Sequence, residues 1–221
     1  MPGTPVHHAV PLGSLCLTAQ VLQDMGVRSC SYPFDWMFAD LDIVTDALTD
    51  GFVAFLDRSQ YVDIGHPEAC GHARYGRLFN HHDPLRNPEH HSYFVRCVER
   101  LYEVFRSPER KLFLVIDPNF RGDDAELRRK LEVLDWVLRA NTCEHELLFV
   151  KNTPVGEGGD PRVETVFEFG SVKAANAFTT SVIDGVYYEN AIDNETITSY
   201  LLGSYEFVRP ASVSPEFMRK K

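Results

Sequence analysis

A thiol stands where a strand-like stretch gives way to a helix, in the sequence LGSLC at residues 12–16. From Cys16 onward, apolar side chains recur at helical spacing until a glycine at residue 26. The first turn of a helix has unpaired N–H groups and the positive end of the helix dipole, which favour a thiolate and bind an oxyanion. The pattern predicts Cys16 as a nucleophile; the alternative is a small buried residue that packs the helix start.

A cysteine nucleophile needs a base, and the densest group of candidates among the nine histidines is NHHD at residues 80–83. His81 and His82 lie there beside Asp83, in a region without hydrophobic periodicity. An imidazole can take the thiol proton and return it to a leaving group. The other interpretation of this stretch is a solvated polar loop.

Asp35 lies between two aromatic residues, in the turn SYPFDW at residues 31–36. A carboxylate in such surroundings needs a partner such as a histidine, an arginine or a backbone N–H. It could orient the histidine of a triad or cap the helix that follows. Ser14 also has two interpretations: it could be a nucleophile in its own right, or it could cap the first helix.

Zinc binding is a rival use of the histidine-rich region, through His66, Cys70 and His72. No paired Cys-x2-Cys or His-Glu-x2-His spacing supports it, and we expect no metal and no cofactor. Phosphate-binding glycine loops and the Gly-x-Ser-x-Gly elbow are also missing from the sequence.

The formal charge of -10 disfavours nucleic acid and anionic membranes as partners. No export signal or apolar run of membrane-spanning length is present, so we expect no membrane association. Five irregularly spaced cysteines are typical of reduced thiols, which favours a cytoplasmic location.

Hydrophobic periodicity predicts an α/β or α+β fold with a mixed sheet and Cys16 at the N-terminus of the first helix. Residues 111–150 read as strand, long helix, strand, which predicts a β-α-β unit with parallel strands. Residues 63–89 are predicted as a long loop with a short strand near 75–79. Further helices are predicted at 16–25, 41–48, 51–56, 93–105 and 196–202, and further strands at 7–12, 163–169 and 185–188. We expect one domain over residues 1–221, in which 156–221 supply C-terminal strands and a short helix.

Three elements in this order, LGSLC, SYPFDW and the pair His82-Asp83, resemble a bacterial family of unknown function described as papain-like cysteine peptidases. The resemblance extends to an arginine-bearing aromatic helix with Arg96 and Arg100, and it covers residues 6–155. It implies Cys16 as the nucleophile and His82 as the base. It also implies a cysteine on a helix and a histidine on a strand of a separate antiparallel sheet.

Together these observations predict a cysteine-dependent hydrolase or acyl transferase acting on a peptide or a small acyl or amide substrate. The predicted catalytic residues are Cys16, His82 and Asp35, and the predicted pocket residues are Ser14, Trp36, His81, Asp83, Arg96 and Arg100. The sequence does not decide between His81 and His82, and it leaves the oligomeric state open. The alternative is a non-catalytic module that binds a ligand or peptide in the same polar pocket.

Overall fold

The computed structural model describes residues 5–156 and 158–210, which form an α/β fold with two sheets. The strands of this part of the chain are β1 (His8–Ser14), β2 (Tyr61–Val62), β3 (Cys70–His72), β4 (Gly76–Phe79), β5 (Lys111–Asp117), β6 (His145–Pro154), β7 (Arg162–Phe169) and β8 (Val172–Thr179). Its α-helices are α1 (Cys16–Asp24), α2 (Leu41–Thr49), α3 (Val53–Leu56), α4 (Pro88–Arg106), α5 (Asp124–Asn141) and α6 (Ala191–Ser204), with a 3-10 helix at Arg58–Gln60.

The larger sheet has the strand order β1-β5-β6-β8-β7. Its first four strands are parallel, and β7 runs antiparallel to β8. This confirms the predicted mixed sheet and the β5-α5-β6 crossover. All seven residues of β5 are buried, as a continuous apolar run in a parallel sheet requires. Pro11 is tolerated in β1 because β1 is an edge strand, where a missing N–H removes no inner ladder bond.

Helices cover both faces of the larger sheet. Successive strand side chains point to opposite faces, so that Phe113 and Val115 of β5 join one core cluster while Leu112 and Leu114 join the other. The first cluster includes side chains of α2, α4 and α5, and the second includes side chains of α1 and α6. The result is three layers, with the sheet between two layers of helices.

The smaller sheet, with the order β2-β3-β4, is antiparallel. Its strands β3 and β4 lie within the region 63–89 that was predicted as a long loop, and β2 lies just before it. The strand expected near residues 75–79 is β4, whereas β2 and β3 have two and three residues and are too short to show alternation. An aromatic cluster supports this sheet. The ring centroids of Phe55 and Phe79 are 5.6 Å apart, and those of Phe79 and Phe94 are 4.8 Å apart.

The prediction of a strand at residues 185–188 was wrong. The carboxylate of Asp184 accepts hydrogen bonds from the backbone of Val186 and Tyr187, and this local turn takes the place of a strand. Two helices begin earlier than their apolar periodicity indicated, because the side chains of Asn87 and Asn190 cap them.

No helix within residues 5–156 and 158–210 is long and apolar enough to cross a membrane. All five cysteines lie in these ranges, and no disulfide joins them. The prediction of one domain over residues 1–221 includes residues outside the described ranges, and it stays a prediction.

Candidate active site

Cys16 is the first residue of α1 and directly follows the carboxyl end of β1, across Leu15. Leu15 has an extended backbone (φ -130°, ψ -176°) and no capping side chain, and the first helical turn contains no acidic residue. The Cys16 side chain is 7% exposed. The predicted placement of this cysteine at the start of the first helix is confirmed, and the first-turn N–H groups have no competing carboxylate within that turn.

Gly13 and Thr18 fix the backbone on both sides of Cys16. Gly13 has a φ of +94°, and a Cβ at this position would overlap with the carbonyl oxygen of Ala39, so a glycine is required. The Thr18 hydroxyl donates to the carbonyl of Gly13 and accepts from the amide of Ile116 at 3.0 Å. The first turn of α1 is thus tied to the ends of β1 and β5. Sequence reasoning missed Thr18, which it counted as an ordinary helix residue.

A three-residue bridge at residues 37–39 connects the two sheets. The Ala39 amide donates to the carbonyl of Ser14 at 3.3 Å, and the Phe38 amide donates to the carbonyl of Leu78 at 3.0 Å. The bridge therefore contacts the end of β1 on one side and β4 on the other. This arrangement brings the loop that follows β4 next to Cys16.

His81 is the histidine that the structure brings to the thiol. Its Nε2 lies 3.4 Å from Sγ of Cys16 and 3.2 Å from Nδ2 of Asn80. Oδ1 of Asn80 accepts from Arg77 at 3.3 Å, so the amide nitrogen faces the imidazole. With this orientation of the amide, Asn80 donates to Nε2 in the tautomer whose Nε2 carries no proton, and the same nitrogen is the one that faces the thiol. His81 is exposed and lies two residues beyond β4 of the antiparallel sheet.

His82 is buried and packs against α4. Its ring stacks on Tyr93, with centroids 4.5 Å apart and planes 9° apart. It also meets the edges of His90 and Phe94, at 5.0 and 5.3 Å. These contacts anchor the loop that carries His81, and the role of His82 as the base stays a prediction.

Asp35 forms a buried ion pair with Arg28 and accepts from the Tyr32 amide at 2.7 Å. The guanidinium carbon of Arg28 lies 5.5 Å from the centroid of the Trp36 ring. Burial lowers the pKa of Arg28 to about 10, which leaves it protonated at neutral pH. The capping role considered for Asp35 belongs to Asp40, whose side chain accepts from the first turn of α2. The sequence offered no signal for Arg28, and the role of Asp35 in orienting a histidine stays a prediction.

The remaining predicted residues lie on the far side of the histidine loop or on α4. The Asp83 carboxylate is 2.7 Å from Nη1 of Arg86, and its amide donates to Nδ1 of His90 at 2.8 Å. These contacts give Asp83 a structural role in the turn before α4. Arg96 and Arg100 are half-buried on α4, and their function as pocket residues stays a prediction.

The residues considered for zinc binding do not form a ligand cluster in the described part of the chain. His72 uses both ring nitrogens on the backbone, with Nε2 at 3.0 Å from the carbonyl of Ala54 and Nδ1 accepting from the Arg74 amide. Burial lowers the pKa of His72, which keeps the ring neutral. Among the described residues no three His, Cys, Asp or Glu side chains form a group that could hold a metal ion.

A cleft of about 490 Å³ opens at the carboxyl ends of β1 and β5, which is the edge where open α/β sheets bind ligands. Ser14 and Leu15, the two residues before Cys16, form part of its wall. The lining includes charged side chains of both signs, namely Asp40, Asp42, Asp117, Glu126, Arg77, Arg121 and Lys130. Cys16, with His81 against its thiol, therefore directly follows two residues in the wall of the cleft.

Comparison with known proteins gives one match. The model of the family described as "Putative papain-like cysteine peptidase" matches residues 7–151, which contain Cys16, the aromatic turn and both histidines of the loop. No curated protein and no solved structure matches the chain. Since the match covers more than half of the 221 residues, the chain belongs to the family of putative papain-like cysteine peptidases.

Proposed function

We propose that the protein is a cysteine-dependent hydrolase or acyl transferase, with Cys16 as the nucleophile and His81 as the base. One observation carries the proposal: Nε2 of His81 lies 3.4 Å from Sγ of Cys16 at the start of α1. The family assignment supports a hydrolase of the cysteine class. Its substrate is a peptide or a small amide or ester, in the adjoining cleft.

In the first step the thiol proton passes to Nε2 of His81, and the thiolate attacks the substrate carbonyl carbon. A C–S bond forms as the carbonyl π electrons move onto oxygen. Backbone N–H groups in the first turn of α1 stabilise this oxyanion, since they are unpaired donors at the positive end of the helix dipole. Asn80 holds the imidazole in the tautomer whose Nε2 carries no proton, and its hydrogen bond to Nε2 gives way to the thiol proton during the transfer.

In the second step the oxyanion collapses, and the bond to the leaving amine or alcohol breaks. His81 returns its proton to that leaving group, and a thioester on Cys16 remains. Water then attacks the thioester in hydrolysis, and another amine or alcohol attacks it in acyl transfer. Either nucleophile gives its proton to His81 as it bonds to the acyl carbon. The C–S bond then breaks, the acyl group leaves as an acid, ester or amide, and His81 returns the proton to the thiolate.

Competitive alkylation with iodoacetamide at neutral pH, followed by mass spectrometry, tests the thiol. Cys16 is expected to react faster than the other four cysteines although it is buried. Cys143 is the stringent internal control, because it is exposed. Burial raises the pKa of Cys70 to about 11 and that of Cys97 to about 12, so these two thiols stay protonated. A Cys16 no more reactive than Cys143 would overturn the proposal and favour the non-catalytic binding module.

Two variants of the same loop test the base. His81→Ala is expected to slow alkylation of Cys16 about 100-fold, the usual effect of losing a general base. His82→Phe is the matched control, because it keeps a ring that can stack on Tyr93 and removes the imidazole nitrogens, and it is expected to retain the alkylation rate. The opposite result would assign the base to His82. Release of p-nitrophenolate from p-nitrophenyl acetate, abolished by Cys16→Ala, measures acyl transfer itself.

A further inference from the structure

The Ser14 hydroxyl forms no hydrogen bond that stabilises the described fold. The residue is 8% exposed, its Oγ is buried, and it lies in the wall of the cleft two residues before Cys16. Within residues 5–156 and 158–210 its Oγ has no hydrogen-bond partner. Buried hydroxyls in proteins are nearly always paired, so an unpaired one next to a reactive thiol requires an explanation.

The backbone of Ser14 is held on two sides. Its carbonyl accepts from the Ala39 amide at 3.3 Å, and the residue pairs with Ile116 of β5 in the parallel ladder. Capping is not its function, because Leu15 occupies the N-cap position of α1. An alanine would satisfy the fold at this position without leaving a buried polar atom unpaired.

We propose that on substrate binding the Ser14 side chain rotates toward the cleft and its hydroxyl donates a hydrogen bond to the substrate carbonyl oxygen while that oxygen becomes an oxyanion. This inference rests on the proposed function and adds a side-chain donor to the N–H groups of α1. The C–S bond forms, the carbonyl π pair moves onto oxygen, and the hydroxyl proton stays on Ser14 throughout. Such a donor stabilises the transition state more than the bound substrate.

Ser14→Ala separates this role from activation of the thiol. With p-nitrophenyl acetate the variant is expected to lose about 100-fold in kcat with little change in KM, as for other oxyanion donors. Alkylation of Cys16 by iodoacetamide is expected to be unchanged. That reaction forms a C–S bond and breaks a C–I bond at a saturated carbon, so that no oxyanion develops.

Stability provides a second readout. The urea midpoint of Ser14→Ala is expected to equal or exceed that of the original protein, because the hydroxyl has no described partner to lose. Ser171→Ala is the control at the opposite edge of the sheet. There the hydroxyl donates to Asp135 at 2.7 Å, so the control is expected to lower the midpoint and retain kcat.

Each outcome distinguishes the two proposals. Unchanged ester hydrolysis in Ser14→Ala would overturn the role of Ser14 but would not affect the proposed roles of Cys16 and His81. Equal slowing of hydrolysis and alkylation would also overturn it, since Ser14 would then act on the thiol. If the original protein neither hydrolyses the ester nor shows a fast Cys16, the proposed function fails, and the role of Ser14 fails with it.

Discussion

Thr18 is the residue on which the geometry of the nucleophile depends most directly. Thr18→Val keeps the shape of the side chain and removes the hydroxyl between the Gly13 carbonyl and the Ile116 amide. Two buried backbone groups then lose a partner, and we expect the free energy of unfolding to fall by about 2 kcal/mol. Urea denaturation measures this loss, and the alkylation rate of Cys16 reports any shift of the thiol.

A matched substitution controls for the change of side chain. The Thr49 hydroxyl bonds the Thr45 carbonyl on the exposed side of α2, where water can replace it. Thr49→Val is therefore expected to change the free energy of unfolding by less than about 0.5 kcal/mol. Equal losses in the two variants would show that Thr18 does not tie α1 to the sheet.

At the same scale, the sequence places the thiol but not the histidine that lies against it. Cys16 follows from a local pattern, since a broken strand and a helical period fix its position within a few residues. His81 and His82 are neighbours, and the one that faces the thiol is decided by the contact between residues 37–39 and β4. That contact is tertiary, and no local pattern of the histidine loop encodes it.

Among the elements, the aromatic turn at residues 31–36 depends on a buried ion pair. Arg28→Met leaves the Asp35 carboxylate buried without its cation, and Asp35→Asn leaves the guanidinium without its anion. Each single change is expected to cost about 3 to 5 kcal/mol, and the double variant less than the sum of the two. A double-mutant cycle in urea measures the coupling.

The exposed pair between Arg162 and Glu164 is the control for this cycle. Removing one of its partners is expected to cost less than about 1 kcal/mol, because water screens both charges. Cys16 alkylation in folded Asp35→Asn tests the predicted triad role as well. If alkylation slows as much as in His81→Ala, Asp35 orients the histidine in addition to pairing with Arg28.

The elements found from the sequence are those whose own pattern fixes them. The apolar run of β5, the helical period of α5 and the apolar start of β6 predicted the crossover unit. The strand β8, with the sequence VKAANAFT, fills three of its buried positions with alanine, a residue that is depleted in strands. It is buried because β6 and β7 flank it, which is a property of the assembled sheet rather than of the segment.

For the whole molecule, the edge of the sheet opposite the cleft contributes pH-dependent stability through Asp135. Burial alone would raise the pKa of Asp135, but hydrogen bonds from Ser171, Arg139 and His145 outweigh it and lower the pKa below 3.8. The stabilisation is complete above that pH and is lost as the pH falls toward the lower folded pKa. Asp135→Asn is expected to cost about 2 kcal/mol at pH 7, and less as the pH falls below about 3.8.

Urea denaturation at a series of pH values measures this dependence. Glu132→Gln is the control, because Glu132 pairs with Arg128 on the exposed face of α5. That control is expected to change stability by less than about 0.5 kcal/mol at every pH. A cost of Asp135→Asn that does not vary with pH would mean that its contribution comes from packing rather than from the carboxylate charge.

The bridge at residues 37–39 makes the contact between Cys16 and His81 depend on a late step of folding. Cys16 and His81 are 65 residues apart in the chain, and the bridge holds the end of β1 beside β4. During synthesis, β1 and α1 emerge before the histidine loop, so that Cys16 at first lacks its neighbour His81. Under the proposed function, Cys16 gains its base only when the small sheet docks beside β1, and this late folding step would then be the one that activates the thiol.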